Sequence, residues 1–148
     1  MHQGTYRFLL WLAVSSGLWS CQTNPEPIAY GHDECAQCRM MISDQKYGGE
    51  LITQKGRIYK FDSIECMASY YAGASVPEVQ SIWTIDFSNP GMWVKADEAF
   101  YLRSKNLPSP MGMFLSSYAV REKAEEMKAQ LHGDLLNWQE VLSLVNNK

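Results

Sequence analysis

With 148 residues, 46% of them hydrophobic, the chain is long enough for one domain with a true core. The formal charge is −3 and no cluster of lysines or arginines stands out, which excludes nucleic-acid binding by phosphate neutralisation.

The first segment reads as a targeting signal. Arg7 precedes the apolar run 8–14, which is too short to cross a bilayer as a helix. Leu18-Trp19-Ser20-Cys21 follows and resembles the bacterial lipobox, in which a small residue precedes the cysteine that receives lipid. Residues 1–20 are therefore expected to be a signal peptide and Cys21 the lipidated N-terminus. Residues 21–30, with Pro25 and Pro27, are expected to form a flexible tether, and 31–148 a single domain. Acyl chains, rather than a protein segment, would hold the membrane. Lipidation of Cys21 leaves Cys35, Cys38 and Cys66, an odd number, so at least one thiol has no partner within the chain. A free thiol outside the reducing cytosol points to metal binding or redox chemistry; the alternative is one disulfide and one inert buried cysteine.

From residue 33 a sulfur-rich loop, Asp33-Glu34-Cys35-Ala36-Gln37-Cys38-Arg39-Met40-Met41-Ile42, leads to Gly48-Gly49. Residues 50–53 and 57–61 flank Gln54-Lys55-Gly56, a hairpin signal. Asp62, with Glu65 three residues on, has capping-box spacing for a helix whose Ile64, Met67, Ala68 and Tyr71 form an apolar stripe. Strands are expected over 82–87, 92–94 and 100–103, with Asn89-Pro90-Gly91 as a turn. A loop over 106–110 leads to Met111-Gly112-Met113-Phe114. A helix is predicted over about 118–131, with Val120, Ala124, Met127 and Leu131 on one face and Gly133 past its end. Asn137 and Glu140 can cap a last short helix. This order is α+β and suggests two related halves, each of strands followed by a helix.

Cys35-x-x-Cys38-x-Met40 is the centre of the chemistry. Thiolate and thioether are soft donors that suit Cu(I) and discriminate against Mg²⁺ and Ca²⁺. Haem attachment needs histidine after the second cysteine, where Arg39 stands. A structural zinc site needs four thiolate or imidazole ligands, and no second CxxC or HxxxH is present, although Cys35, Cys38, Cys66 and His32 remain an unpatterned set. A thioredoxin-like pair needs a preceding strand, and the segment before Cys35 is polar. A plain Cys35–Cys38 disulfide is the structural alternative. Met111, bracketed by Pro110 and Gly112, departs from the default of methionine as core filler; Met113 is expected to be a buried strand residue. Cys66 lies near a helix start, where the dipole favours thiolate, and off the apolar stripe; it is equally a small buried hydrophobe.

Four features in one order resemble the NosL family of periplasmic copper-binding lipoproteins, accessory proteins of nitrous oxide reductase maturation. They are the lipobox at Cys21, the segment 35–42, Tyr59-Lys60-Phe61-Asp62-Ser63-Ile64-Glu65-Cys66-Met67, and Ser109-Pro110-Met111-Gly112. The resemblance implies a monomeric α+β fold of two similar small subdomains, similar to the organomercurial lyase fold. It also implies a non-enzymatic carrier on the periplasmic side of a bacterial membrane, delivering one Cu(I) to a copper enzyme such as nitrous oxide reductase. On matching positions, Cys38, Met40 and Met111 are the implied ligands, with Cys35 and Cys66 at further motif positions. The chain departs from the family pattern at Arg39, where glycine is usual, and at Met113-Phe114, in place of a smaller, glycine-rich stretch. The competing functions are an envelope thiol–disulfide oxidoreductase using the CxxC pair, an organomercurial-type lyase using paired thiols and a carboxylate such as Asp62, and a copper-storage or sensing lipoprotein.

Overall fold

The computed structural model describes residues 24–147. The expected signal peptide and Cys21 lie outside the described residues. Strand β1 (Gly49–Thr53) pairs antiparallel with β2 (Ile58–Phe61), as the hairpin signal predicts. Gly56, at φ 77, supplies the left-handed residue of the turn, and the Arg57 amide donates to Thr53 Oγ1 at 3.0 Å. The chain then enters α1 (Ile64–Tyr71). Its cap is Ser63 rather than Asp62: the Ser63 hydroxyl accepts from the Cys66 amide, so the Asp62/Glu65 box does not form. Asp62 is thereby released for other contacts.

Strand β3 (Val79–Ile85) crosses to the other side of β1, and β4 (Trp93–Lys95) adds to it through the Asn89-Pro90-Gly91 turn. The first sheet thus has the order β2-β1-β3-β4. A second, three-stranded sheet, β6-β5-β7, is built from β5 (Phe100–Arg103), β6 (Leu115–Tyr118) and β7 (Asp134–Leu136). Helix α2 (Arg121–Leu131) connects β6 to β7, and α3 (Trp138–Asn146) closes the chain with the expected Asn137/Glu140 capping box.

Two elements differ from expectation. Residue 118 belongs to β6, not to the following helix, because the Tyr118 ring is fully buried and pairs across to Phe100. The short strand β7 has no period-2 signal of its own; it exists because β5 offers it an edge.

One core serves both halves. Leu51, Phe61, Ile64 and Met67 pack in the same cluster as Tyr101, Leu115, Trp138 and Val141. The sheets are also stitched by buried polar groups: Thr84 Oγ1 and Ser117 Oγ lie 2.8 Å apart, and Ser117 donates to the Ile85 carbonyl at 2.7 Å. The stripe on α1 faces this core as predicted, with Ile64, Met67 and Ala68 buried.

Residues 26–30, part of the expected tether, lie against the first sheet. Ile28 is buried, the Glu26 amide donates to Glu50 at 2.8 Å, and Lys60 Nζ reaches both the Pro27 carbonyl and Asp33. Glu50, fully buried in β1, has one carboxylate oxygen without a partner. Burial pushes its pKa up from 4.5 to about 7. A carboxyl raised in the folded state binds its proton more tightly there than in the unfolded chain, so its contribution is complete below pH 4.5 and is lost as pH rises through about 7. Glu50→Gln mimics the protonated form. We expect it to raise stability at pH 8 by about 2 kcal/mol and to change it little at pH 4. Urea unfolding at both pH values checks this; an equal effect at both would remove ionisation as the cause.

Candidate metal centre

The sulfur-rich loop is closed by its own backbone. The Cys35 amide donates to the Met40 carbonyl at 2.8 Å, the Arg39 amide to the Cys35 carbonyl at 3.0 Å, and the Ile42 amide to the Asp33 carbonyl at 2.9 Å. The Ala36 amide donates to the Lys60 carbonyl at 2.8 Å, which docks the turn on β2 beside the entry to α1. Cys35 and Cys38 therefore sit in a turn, not at a helix N-terminus, and the loop faces the start of α1.

That docking brings together groups distant in sequence. The sulfurs of Cys35, Cys38 and Cys66 and a carboxylate oxygen of Asp62 all lie within 4.8 Å of one another. All three thiols are free. Cys35 and Cys66 are buried and Cys38 is half-buried. Cys38 Sγ donates to Asp62 Oδ2 at 3.4 Å, while Asp62 Oδ1 has no partner.

Proton sharing polarises the cluster. A hydrogen bond from the Cys66 thiol, helped by the backbone amides of Cys38, Asp62 and Gln37, holds Cys35 well below the ordinary thiol range. Cys66 moves the opposite way, because its proton is committed to Cys35 and its sulfur lies in a buried, acidic setting beside Asp62. Burial also raises Cys38. Within the cluster, ionisation is therefore easier at Cys35 than at Cys38 or Cys66.

A cleft of about 210 Å³ opens over the cluster, lined by Gln37, Cys38, Glu65, Cys66, Ser69, Met111 and Met113. Met111 reaches it from the second half of the chain on a loop held at three points. The Tyr47 hydroxyl donates to the Pro108 carbonyl at 2.7 Å, Ser109 Oγ donates to Glu65 Oε1, and the Phe114 amide donates to Ser109 Oγ at 2.8 Å. Burial pushes the Tyr47 phenol up to about 12, which keeps it a donor. Met111 is 38% exposed, at the rim, whereas Met113 is buried. Met40 and Met41 lie on the outside of the loop, 47% and 59% exposed, and neither lines the cleft. Among the expected ligands, the fold clusters Cys35, Cys38 and Cys66, lines the adjoining cleft with Cys38, Cys66 and Met111, and leaves Met40 outside it.

Against known families, residues 28–145 match NosL. The chain belongs to the NosL family. Among solved structures it is similar to the crystal structure of the copper chaperone NosL from Shewanella denitrificans, with a TM-score of 0.69 and 23% identity over 78% of this chain and 94% of that one. At that identity the likeness is one of fold. A comparison with curated proteins returns no match. Arg39 and Phe114, where the sequence reading expects a departure from the family pattern, each adopt φ 66, a backbone region that glycine favours. A side chain there costs about 1 kcal/mol, and the two loops that frame the cleft keep their shape despite it.

The cluster member that was not expected as a metal ligand is Asp62, read from sequence as a helix cap and as the carboxylate of the lyase alternative. No short-range signal places it there, because Asp62 precedes the extended N-cap Ser63 and helical spacing to Cys66 does not apply. Glu65, 2% exposed with Oε2 unpartnered, lines the cleft and is a second buried carboxyl group close to the thiols.

Proposed function

We propose that this protein binds a single Cu(I) through sulfur and passes it to a copper enzyme, with nitrous oxide reductase the recipient that the family resemblance favours. In this reading it is a monomeric lipoprotein, anchored by Cys21 on the periplasmic side of a bacterial membrane, and it has no catalytic residues. The observation that carries the reading is the convergence of three free thiols, with Met111 over the same cleft. Cu(I) is satisfied by two or three soft donors and has no need of oxygen. Cys38 and Met111 are the donors at the open side, where an incoming protein can reach them, and Cys35 and Cys66 form the floor. Met40, on the exposed rim of the loop, suits a ligand that engages during loading or release. That the Shewanella denitrificans protein is a copper chaperone agrees with this reading.

A carrier needs a site that lets go, and a thioether at a half-exposed rim is a weak, exchangeable donor. The test is anaerobic titration of the reduced chain with Cu(I) against a competing chelator, with X-ray absorption to count sulfur neighbours. Met111→Leu keeps the volume and removes the donor. It is expected to weaken Cu(I) binding about tenfold, the equivalent of about 1.4 kcal/mol. Undiminished affinity together with an unchanged sulfur count would take Met111 out of the site.

A further inference from the structure

Asn24, the first described residue, sits at a hollow of about 370 Å³ with Gln80, Ser81, Trp83 and Lys95. We propose that this corner of the first sheet, where β3 meets β4, is held against lipid headgroups, so that the domain stands on its membrane in one orientation with the metal cleft turned away. This rests on the lipoprotein reading, with Cys21 as the acylated N-terminus, and adds to it which surface meets the bilayer.

The course of the chain before the dithiol turn carries the argument. Lys60, Glu50, Trp83 and Lys95 are successive cross-strand partners on β2, β1, β3 and β4, and residues paired directly project from the same face of a sheet. Residues 24–28 lie across this row. Lys60 Nζ reaches the Pro27 carbonyl at 3.0 Å, the Glu26 amide donates to Glu50 at 2.8 Å, and Asn24 arrives beside Trp83 and Lys95. Ile28 is buried, and Gly48 makes room for it: a Cβ there would stand 2.6 Å from Ile28 Cδ1. Most of the expected tether is therefore strapped to the domain. Only residues 22 and 23 separate Cys21 from Asn24, a reach of about 10 Å at full extension. Were residues 21–30 all free, the reach would be about 30 Å, enough to turn any side to the bilayer.

The side chains at this corner suit an interface. Trp83 is half-buried, with its Nε1 donating to Ser81 Oγ at 3.0 Å, and Lys95 is exposed. An indole and a long lysine stem are groups that sit well at headgroup depth, apolar in the body and polar at the tip. Net charge is not the attraction, because Lys95 lies 3.4 Å from Glu98 and Asp97 is exposed beside it. The acyl chains supply the attraction and the strap supplies the orientation, so ionic strength should not change which surface is presented.

The metal cleft lies away from this corner in two directions. The Ala36 amide bonds the Lys60 carbonyl at the β2 edge, and three strand spacings of about 4.8 Å put β2 roughly 14 Å from β4. Helix α1, which carries Cys66, also packs on the opposite face from the strap: a Cβ at Gly49 would meet Met67 Sδ, whereas one at Gly48 would meet Ile28. The cleft is thus presented to proteins approaching from the aqueous side.

The experiment uses the acylated protein, purified from membranes and placed in vesicles of phosphatidylethanolamine and phosphatidylglycerol. A minor share of the headgroups carries a photoactivatable group. Mass spectrometry after irradiation maps the attached lipid and reads the mass of the N-terminal peptide. We expect adducts on peptides carrying residues 79–83 and 93–95, none on residues 35–42 or 64–71, and the same pattern in high salt. Inserting about ten Gly and Ser residues after Thr23 should lower the yield at Trp83 and Lys95 roughly tenfold, because the local concentration of a tethered partner falls as about the −3/2 power of tether length. Adducts spread evenly over the surface or centred on the dithiol turn, or an unchanged yield after the insertion, would overturn the proposal. An N-terminal peptide without acyl chains would overturn the lipoprotein reading and this one together, whereas an acylated chain with the wrong adduct pattern would overturn this one alone.

Discussion

Cys38→Ala is expected to lower Cu(I) affinity by about two orders of magnitude while leaving the fold intact. The size follows from partition of binding energy. Apparent metal-binding free energies of about 10–16 kcal/mol in four-ligand sites amount to roughly 3 kcal/mol per ligand, and each 1.4 kcal/mol is a factor of ten. Cys38 is the informative position because it is the half-buried thiol, whereas Cys35 and Cys66 are part of the core cluster or packed deep beneath it. Replacing either of those removes a ligand and a packed side chain together, so lost affinity and lost stability are mixed. Removal of the Cys38 sulfur takes one hydrogen bond from Asp62 and opens little space. The measurement is Cu(I) competition against a chelator, with thermal unfolding of the metal-free chain as the control. Retained affinity in Cys38→Ala would mean that the ion sits elsewhere, on Met40 and Met41 for instance, where the outer side of the loop exposes two further sulfurs.

The second large effect is on stability. Gly133→Ala is expected to cost more than about 2 kcal/mol and to lower Tm by roughly 8 °C. Gly133 lies at φ 143 between the end of α2 and β7. A Cβ there would stand 2.2 Å from the Arg103 carbonyl oxygen and 3.1 Å from the Ser104 Cα, and neither is the flexible end of a side chain. Backbone must therefore move. Arg103 is the residue that pairs with Asp134, so the displacement falls on the β5–β7 ladder. The loss extends beyond that edge, because the chain runs directly from β7 into α3, which carries Trp138 and Val141 of the common core. Gly56→Ala is the control. It has φ 77 and nothing within 4 Å, so it should show only the conformational penalty of about 1 kcal/mol. If the two substitutions cost the same in urea, the close approach to β5 is not what Gly133 provides.

Much of the local structure was legible before any coordinates. The hairpin over 49–61, the core stripe Ile64, Met67 and Ala68, the Asn89-Pro90-Gly91 turn and the Asn137/Glu140 box each depend on neighbours a few residues apart. The same is true of the chemistry of the motifs: Cys35-x-x-Cys38-x-Met40 and Pro110-Met111-Gly112 announce soft-metal loops whatever surrounds them. What failed was also local reasoning. Asp62 has the right spacing for a cap but yields to Ser63 next door, and β7 carries too little pattern to be seen without the edge of β5.

The composition of the cleft was a tertiary decision. Sequence alone determined that this chain carries soft sulfur donors on two loops, a third thiol at a helix start, and enough apolar periodicity for one mixed α and β core. Only the folded chain determined that the dithiol turn docks on β2 through the Ala36–Lys60 hydrogen bond, and that Cys66 and Asp62 meet it there. It alone set Met111 over the cleft by the Ser109–Glu65 and Tyr47–Pro108 bonds, while Met40 stayed on the outer side of the loop. The physical reason is that periodicity and capping report which way a side chain leaves its own element. The meeting of two elements depends on non-local hydrogen bonds and shared burial, which no short window of sequence contains.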